Sequence, residues 1–498
     1  MKKTNIDLIP TERSTTPDYY CTWQTQLYAT CDGKPAGQRA IIGEKALFSE
    51  EKPYGWAYFY ERARGDLNIV MDDSWDVPLD GDPTYYGSLQ LSPEKFPEAW
   101  EGSENATEAL ARLVARIKAL GWRGLGGWVC AQESPHMIKE GESAEEYWIA
   151  RMKEAEAAGL AYWKVDWGDK GLDVPYRAML TARAKEHAPH LTVENACVSG
   201  ALPYSDVFRT YDVPAILSIP ATMIKLRGLL QDAPTPEEGC LGILNCEDEA
   251  YTAAAGGFAM GIMRHPYAGA FTNGRADMSA PATHRNIKSK MAEVLRAVCF
   301  HRIAPAFGVG GEVTFSETEL RDFWNFEDHF DEELEEWWLN CTTLFEHIGR
   351  DFVSVSGAPA SFSRNIPLPA VTAKGDEIPY TVAARNPNGV ISVVTLGRTL
   401  GRYYGIPQAD VALQTEDATT FGIFGEYATL SLETSFTEKP KAVYAQDLAS
   451  DTAYDITDEV VWQNGTLTLA GELIHRIGTE GNPEGDTSEP GLVLSLEF

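Results

Sequence analysis

The chain has 498 residues, 44% of them hydrophobic and 11% aromatic, with 13 tryptophans, which predicts a packed protein of two or three domains rather than a disordered one. Its formal charge of −31 argues against nucleic acid and anionic membrane surfaces as partners and says little about a neutral substrate. The opening MKKTNIDLIPTERSTTPDYY has no apolar run of signal-peptide length, no segment is long enough to span a bilayer, and the eight cysteines show neither a CxxC pair nor zinc spacing. A cytoplasmic protein with reduced thiols is the expectation.

Over the first 300 residues, short apolar runs alternate with helical patterns. The runs predict strands at 19–25, 67–73, 122–129, 162–167, 191–196, 207–212, 240–246 and 261–267. Between them, NATEALARLVARIKALG places Leu110, Leu113, Val114, Ile117 and Leu120 at helical spacing, with Asn105 and Glu108 as a capping box and Gly121 as a stop. SAEEYWIARMKEAEAAG repeats the design, from Ser143 and Glu146 to Gly159. This alternation predicts an α/β fold, a (β/α)₈ TIM barrel over 1–310. A doubly wound open sheet alternates too, but no glycine-rich phosphate loop follows any strand. From about 281 the pattern turns helical, and 311–350 is expected to form a helical connection packed on the barrel. Beyond 351, YTVAARNPNGVISVVTLG and VVWQNGTLTLAG read as strands joined at Asn-Gly turns, predicting a C-terminal antiparallel β-sandwich over 351–498.

Charged residues gather where the predicted barrel strands end. Asp72 and Asp73 close the second, Lys164 and Asp166 the fourth, Glu194 the fifth, Arg209 and Asp212 the sixth. In a barrel these ends meet at one mouth, the face on which active sites of this fold are built. Lys164 and Asp166 lie two residues apart and so share a face. A lysine beside a carboxylate favours its charged form, as a nucleophile requires, although a plain strand-end salt bridge reads the same way. Asp212 has no lysine two residues away; in a drier pocket near the Asp166 charge it would hold a proton to donate. Two carboxyls with separated pKa values are the equipment of a glycoside hydrolase.

These segments resemble the α-galactosidase clan of glycoside hydrolases, family 36 most and family 27 next. NIVMDDSW is similar to the clan's Asp-Asp-x-Trp, LSPEKFP with the following GWRGLGGWV to its Lys-Phe-Pro, helix and Gly-Leu-x-x-Gly-x-Trp-Val, and YWKVDWG to its Lys-x-Asp nucleophile motif. VENACVSGALPYSDVFRTYD resembles the family 36 run that ends in its acid/base aspartate. The resemblance covers residues 19–212. It implies Asp166 as nucleophile and Asp212 as acid/base, with Asp72 and Asp73 holding the sugar hydroxyls O4 and O6. It further implies that Lys164 touches substrate and nucleophile, that Trp23 and Trp128 form apolar walls, and that Cys197, Ser199 and Gly200, supported by Glu194, contact the sugar. Departures fall at Trp167, at VSGA, and at Arg209 and Tyr211, where the family typically has tryptophan and serine. Arg209 joins the substrate-binding candidates.

The expected function is therefore a retaining, exo-acting α-glycoside hydrolase, α-galactosidase-like, acting by double displacement with the two carboxyls about 5–5.5 Å apart. No metal or cofactor is expected; the partner is a small glycoside or oligosaccharide, and a homo-oligomer is left open. Another α-glycosidase or a transglycosylase of the clan is the alternative. From another class, Asp166, Glu194 and Asp212 imitate the magnesium ligands of an enolase-like lyase or isomerase, a reading that leaves Asp72 and Asp73 without a role. A sugar-binding protein without catalysis is disfavoured by the presence of both aspartates. His265, His284 and His301 show no ligand spacing, Trp324, Trp337 and Trp338 suit an interdomain seam, and Asn245, Asp248 and Arg264 are candidates for a second sugar.

Overall fold

The structure, a computed structural model, describes residues 1–23, 25–26, 39–50, 55–210, 217–247, 249–263, 290–325, 352–401 and 403–498. Asp212, Tyr211, Asp248, Arg264, His265, His284, Trp337 and Trp338 lie outside the described residues.

All eight predicted barrel strands form, shorter than their apolar runs: β1 (Tyr19–Cys21), β2 (Asn68–Met71), β3 (Gly124–Val129), β4 (Tyr162–Val165), β5 (Thr192–Asn195), β6 (Val207–Arg209), β7 (Ile243–Asn245) and β8 (Gly261–Ile262). The first seven pair in parallel with their sequence neighbours, and β8 returns to β1 through Tyr19 and Gly261. A parallel bridge between Asn245 and Ala259 closes the (β/α)₈ barrel. The central strands are buried along their whole length because helices cover the outside and side chains fill the inside. Room inside is tight: a Cβ on Gly126 would stand 2.7 Å from the Cβ of Tyr162 and 2.9 Å from Cγ2 of Val70.

Six helices of seven residues or more surround these strands in the described residues: α1 (Ala106–Ala119), α2 (Ala144–Ala158), α3 (Val174–His187), α4 (Ser218–Leu230), α5 (Ala250–Gly256) and α6 (Met291–Ile303). The Asn105 side chain caps α1, whose buried face is Ala109, Leu110, Leu113, Val114 and Ile117. Ser143 and Glu146 cap α2 reciprocally, and Gly159 ends it at φ 74°, where an L side chain would be strained.

The C-terminal part is a β-sandwich. A nine-stranded sheet faces a five-stranded one, and alternate residues divide between two cores. In the strand Ile391–Leu396, Val393 points with Leu413, Leu430 and Leu467 into the sandwich, while Val394 joins Phe424, Val493 and the barrel-side Phe300. The Asn464-Gly465 turn has both residues at positive φ, 50° and 82°, as a type I′ hairpin needs. Two expectations are corrected. The sheets are mixed, since Ile391–Leu396 pairs in parallel with Thr420–Phe424, and the strand Ala409–Glu416 with Thr429–Thr434. Of the expected helical connection over 311–350, the described part holds strands, Val313–Phe315 pairing with Ser361–Arg364 and Glu319–Asn325 with Phe352–Pro359, while residues 326–350 lie outside the described residues. The strand pattern there is hidden by Asp322, a fully buried carboxylate that accepts from Arg398 Nε and the Tyr380 hydroxyl, each at 2.8 Å.

Candidate active site

Strand β4 sets the site. Its inward side chains at i, i+2 and i+4 are Tyr162, Lys164 and Asp166, while Trp163 and Val165 turn outward. The fully buried Arg177 of α3 fixes the end of the strand by donating to the carbonyls of Val165 (3.0 Å), Asp166 and Gly171 (2.8 Å). Deepest lies Glu194, fully buried, accepting from the hydroxyls of Tyr19 (3.1 Å) and Tyr162 (2.9 Å) and from Asn245 Nδ2 (2.7 Å). Burial raises its pKa, against the opposing charge of Arg209.

One layer up, Lys164 Nζ bonds Asp72 Oδ2 at 2.6 Å and lies 3.5 Å from the Cys21 sulfur, which itself donates to Asp72 Oδ2 at 2.9 Å. At the top, Asp166 Oδ1 meets Arg209 Nη2 at 2.9 Å and the Cys197 sulfur at 3.3 Å, and Oδ2 accepts from Trp128 Nε1 at 3.2 Å. Lys164 and Asp166 do share a face, but the direct partner of Lys164 is Asp72 and the direct cation of Asp166 is Arg209.

Burial opposes ionisation of Asp166, yet the Arg209 guanidinium, and then Lys164, hold its carboxyl well below the usual carboxylate range. Burial and Arg209 depress Lys164, but Asp72, Cys21 and Asp166 together more than offset them and keep its ammonium charged. Cys197 sits at φ 71°, uncommon for a residue with a Cβ, and this turns its sulfur towards Asp166. Burial and the Asp166 charge push its thiol up to about 12.

Asp73 begins the adjoining wall. Its Oδ1 accepts from Ser74 Oγ (2.7 Å) and its Oδ2 from Arg39 Nε (3.0 Å), with burial raising its pKa against the pull of Arg39. Lys95 underpins the turn by donating to the carbonyls of Ser74 (2.6 Å) and Arg39 (3.1 Å). Trp128, Tyr86 and Trp167 line the stretch from Asp166 to Arg39, with centroid separations of 5.2–6.0 Å.

Of the residues singled out in the sequence, Asp166, Trp128, Cys197 and Arg209 meet directly, and Lys164, Asp72 and Asp73 lie beside them. Arg209 differs from its expected place against substrate: its side chain is 0% exposed, spread over Asp166, Glu194 (3.8 Å) and Glu247 (3.1 Å). Glu194 likewise supports Arg209 and the tyrosines rather than the Cys197 turn. Trp23 is half-buried against the cluster of Tyr19, Cys21, Val70, Tyr162 and Met263. Ser199 and Gly200 lie exposed at the start of the 3₁₀ turn Ser199–Tyr204, and Gly200 faces Val174 of α3, where a Cβ would come within 3.2 Å. Sequence reasoning missed Arg39 and Glu247. Glu247, two residues past β7, obeys the same strand-end rule that found the others; Arg39, in the connection after β1, has no such signal.

No protein-family model and no curated protein matches this chain. It is similar to solved structures of glycoside hydrolases. A family 27 β-L-arabinopyranosidase from Geobacillus stearothermophilus, in complex with arabinose, is 9% identical over 97% of each chain, with a TM-score of 0.40. A proposed α-N-acetylgalactosaminidase from Bacillus halodurans is 11% identical over 99% of each chain, TM-score 0.38. A proposed α-galactosidase from Bacteroides fragilis is 12% identical over 69% of this chain and 77% of its own, TM-score 0.34. At these scores the barrel assignment rests on the strand register described above, and the lean of the motifs towards family 36 stays an expectation.

Proposed function

We propose that the protein is a retaining, exo-acting α-glycoside hydrolase, α-galactosidase-like in its glycone site. The observation that supports this most is Asp166: a carboxylate at the mouth of the barrel, walled by Trp128 and held ionised by Arg209 and Lys164. Asp166 attacks the anomeric carbon while Asp212 gives its proton to the departing glycosidic oxygen, leaving a glycosyl ester on Asp166. Asp212, now ionised, takes a proton from water; the water oxygen bonds to the anomeric carbon and the ester breaks. Asp72 and Asp73 accept hydroxyl hydrogens through charge-assisted bonds. Trp128 and Trp23 supply apolar walls, and Cys197, Ser199 and Gly200 line the rim. Arg209 and Glu194 act behind Asp166 as positioning residues.

The magnesium-dependent alternative fits the donors less well. Glu194 already serves two phenols and an amide, and Asp166 is matched by a guanidinium. The test is hydrolysis of p-nitrophenyl α-galactoside, α-glucoside, α-N-acetylgalactosaminide and β-L-arabinopyranoside, with product stereochemistry followed by NMR and EDTA present. Turnover of at least one with retained configuration, abolished in Asp166→Asn and lowered about 10²–10⁴-fold in Asp212→Asn, is expected. Inverted product or activity lost to EDTA would overturn the reading.

A further inference from the structure

Trp167 is left unused by the mechanism, although it follows the candidate nucleophile directly. It is 37% exposed, one of nine large apolar side chains exposed among the described residues. Exposed side chains usually sample several rotamers, but this one is held. Its carbonyl accepts from the Ala131 amide at 2.8 Å. Gly168, at φ 145°, lets the chain pass so close to Ala131 that a Cβ would stand 2.6 Å from its backbone nitrogen. The indole packs against Trp128 and Tyr86, each at 5.2 Å between centroids, and the Arg39 guanidinium lies 5.7 Å from its centre. Trp128 is itself buried and hydrogen-bonded to Asp166, so Trp167 is the next ring outward from the reacting carboxylate.

A fixed, solvent-facing ring costs little ordering entropy when a flat apolar face settles on it. Beside it Arg39 gives Nε to Asp73, and among the described residues the terminal nitrogens of this side chain, which is 37% exposed, meet no acceptor. A flat apolar face bordered by hydrogen-bond acceptors is the surface of a pyranose ring, whereas an alkyl group offers neither part and an aryl group only the first. We propose that Trp167, with Arg39 at its edge, is the platform for the leaving-group sugar, so that the substrates are oligosaccharides rather than simple alkyl glycosides. This rests on the glycosidase reading above.

The experiment compares kcat/KM for an α-galactosyl disaccharide, the p-nitrophenyl α-galactoside and the methyl α-galactoside in the wild type, Trp167→Leu, Trp167→Phe and Arg39→Gln. Trp167→Leu keeps apolar bulk without the flat ring, and is expected to lower the disaccharide value about tenfold more than the methyl glycoside value. Trp167→Phe recovers part of that difference, and Arg39→Gln penalises the disaccharide more than the aryl glycoside. Equal losses on all three substrates, or none, would overturn the platform while leaving the hydrolase intact. If the wild type cleaves none of them, calorimetric titration with the disaccharide decides. Binding that weakens in Trp167→Leu would then keep the platform without α-galactoside hydrolysis; no binding would overturn the platform, the hydrolase reading being decided by the panel of four glycosides above.

Discussion

At the scale of single residues, the site depends on one buried cation serving three carboxylates. Arg209 faces Asp166, Glu194 and Glu247, all with side chains no more than 9% exposed. Removing it leaves these carboxylates uncompensated in a poorly solvated place, and breaking such a buried pair costs about 3–5 kcal/mol. Arg209→Met should therefore lower unfolding free energy by about that amount in urea titration at neutral pH; a loss below about 1 kcal/mol would contradict the account. Asp166 is depressed in the folded state, so its contribution is fully present above the ordinary carboxylate pKa and is lost as pH falls towards the folded value. The loss caused by Arg209→Met should shrink as the medium is acidified below about pH 4. Asp76 behaves in the opposite sense. Burial raises its pKa to about 7, partly offset by the Leu89 amide and Lys95, so the folded state holds its proton too tightly and stability falls as pH rises from about 4 to about 7. Asp76→Asn should stabilise the protein at pH 8 relative to its effect at pH 4. Thermal melts at the two pH values check this, and an equal effect at both would refute it.

At the scale of elements, the strand–helix alternation was legible because each barrel strand is a continuous apolar run and each helix carries its own caps. The Ser143 and Glu146 capping box is legible in the sequence alone; Ser143→Ala should cost about 1 kcal/mol. The pair Lys164 and Asp166 shows where such reading stops. Period-two geometry placed both on one face, but partner choice depends on what other strands bring, and β2 brought Asp72 while β6 brought Arg209. The strands within 313–325 are hidden from the sequence for a related reason, because the inward Asp322 is matched by Arg398, 76 residues away in sequence. Arg39 belongs to a connection without periodicity, where no pattern distinguishes a site residue from a surface one. A sharper element-scale test is Gly168→Ala. With φ 145° and backbone 2.6 Å from the new Cβ, the substitution should cost on the order of 1–3 kcal/mol and reduce activity, because it displaces the turn that carries Asp166 and Trp167. Wild-type stability and rate would show that the close approach is unimportant.

At the scale of the molecule, barrel and sandwich are joined by more than a linker. One face of the nine-stranded sheet shares a core with α5 and α6, where Tyr251 and Phe300 meet Phe424 at centroid separations of 4.9 and 5.3 Å. Through that seam runs a fully buried bidentate pair, Arg296 of α6 with both oxygens of Asp447 at 2.8 Å. The sequence showed that a β-rich part follows the barrel but not this pairing, since Arg296 and Asp447 lie 151 residues apart. Asp447→Ala should strand the guanidinium and cost about 3–5 kcal/mol, seen as a lower midpoint in a single unfolding transition followed by both far-UV dichroism and tryptophan fluorescence. Two separate transitions in the wild type would show the parts to be independent.

Double displacement requires Asp166 to become covalently attached to the sugar. The most direct measurement is peptide mass mapping after incubation with a 2-deoxy-2-fluoro-glycosyl fluoride matching the best substrate, whose fluorine slows breakdown of the ester. A fluoroglycosyl group on the peptide containing Asp166, absent in Asp166→Asn, is the predicted result. A label on any other residue, or an unlabelled enzyme that releases product of inverted configuration, would contradict it.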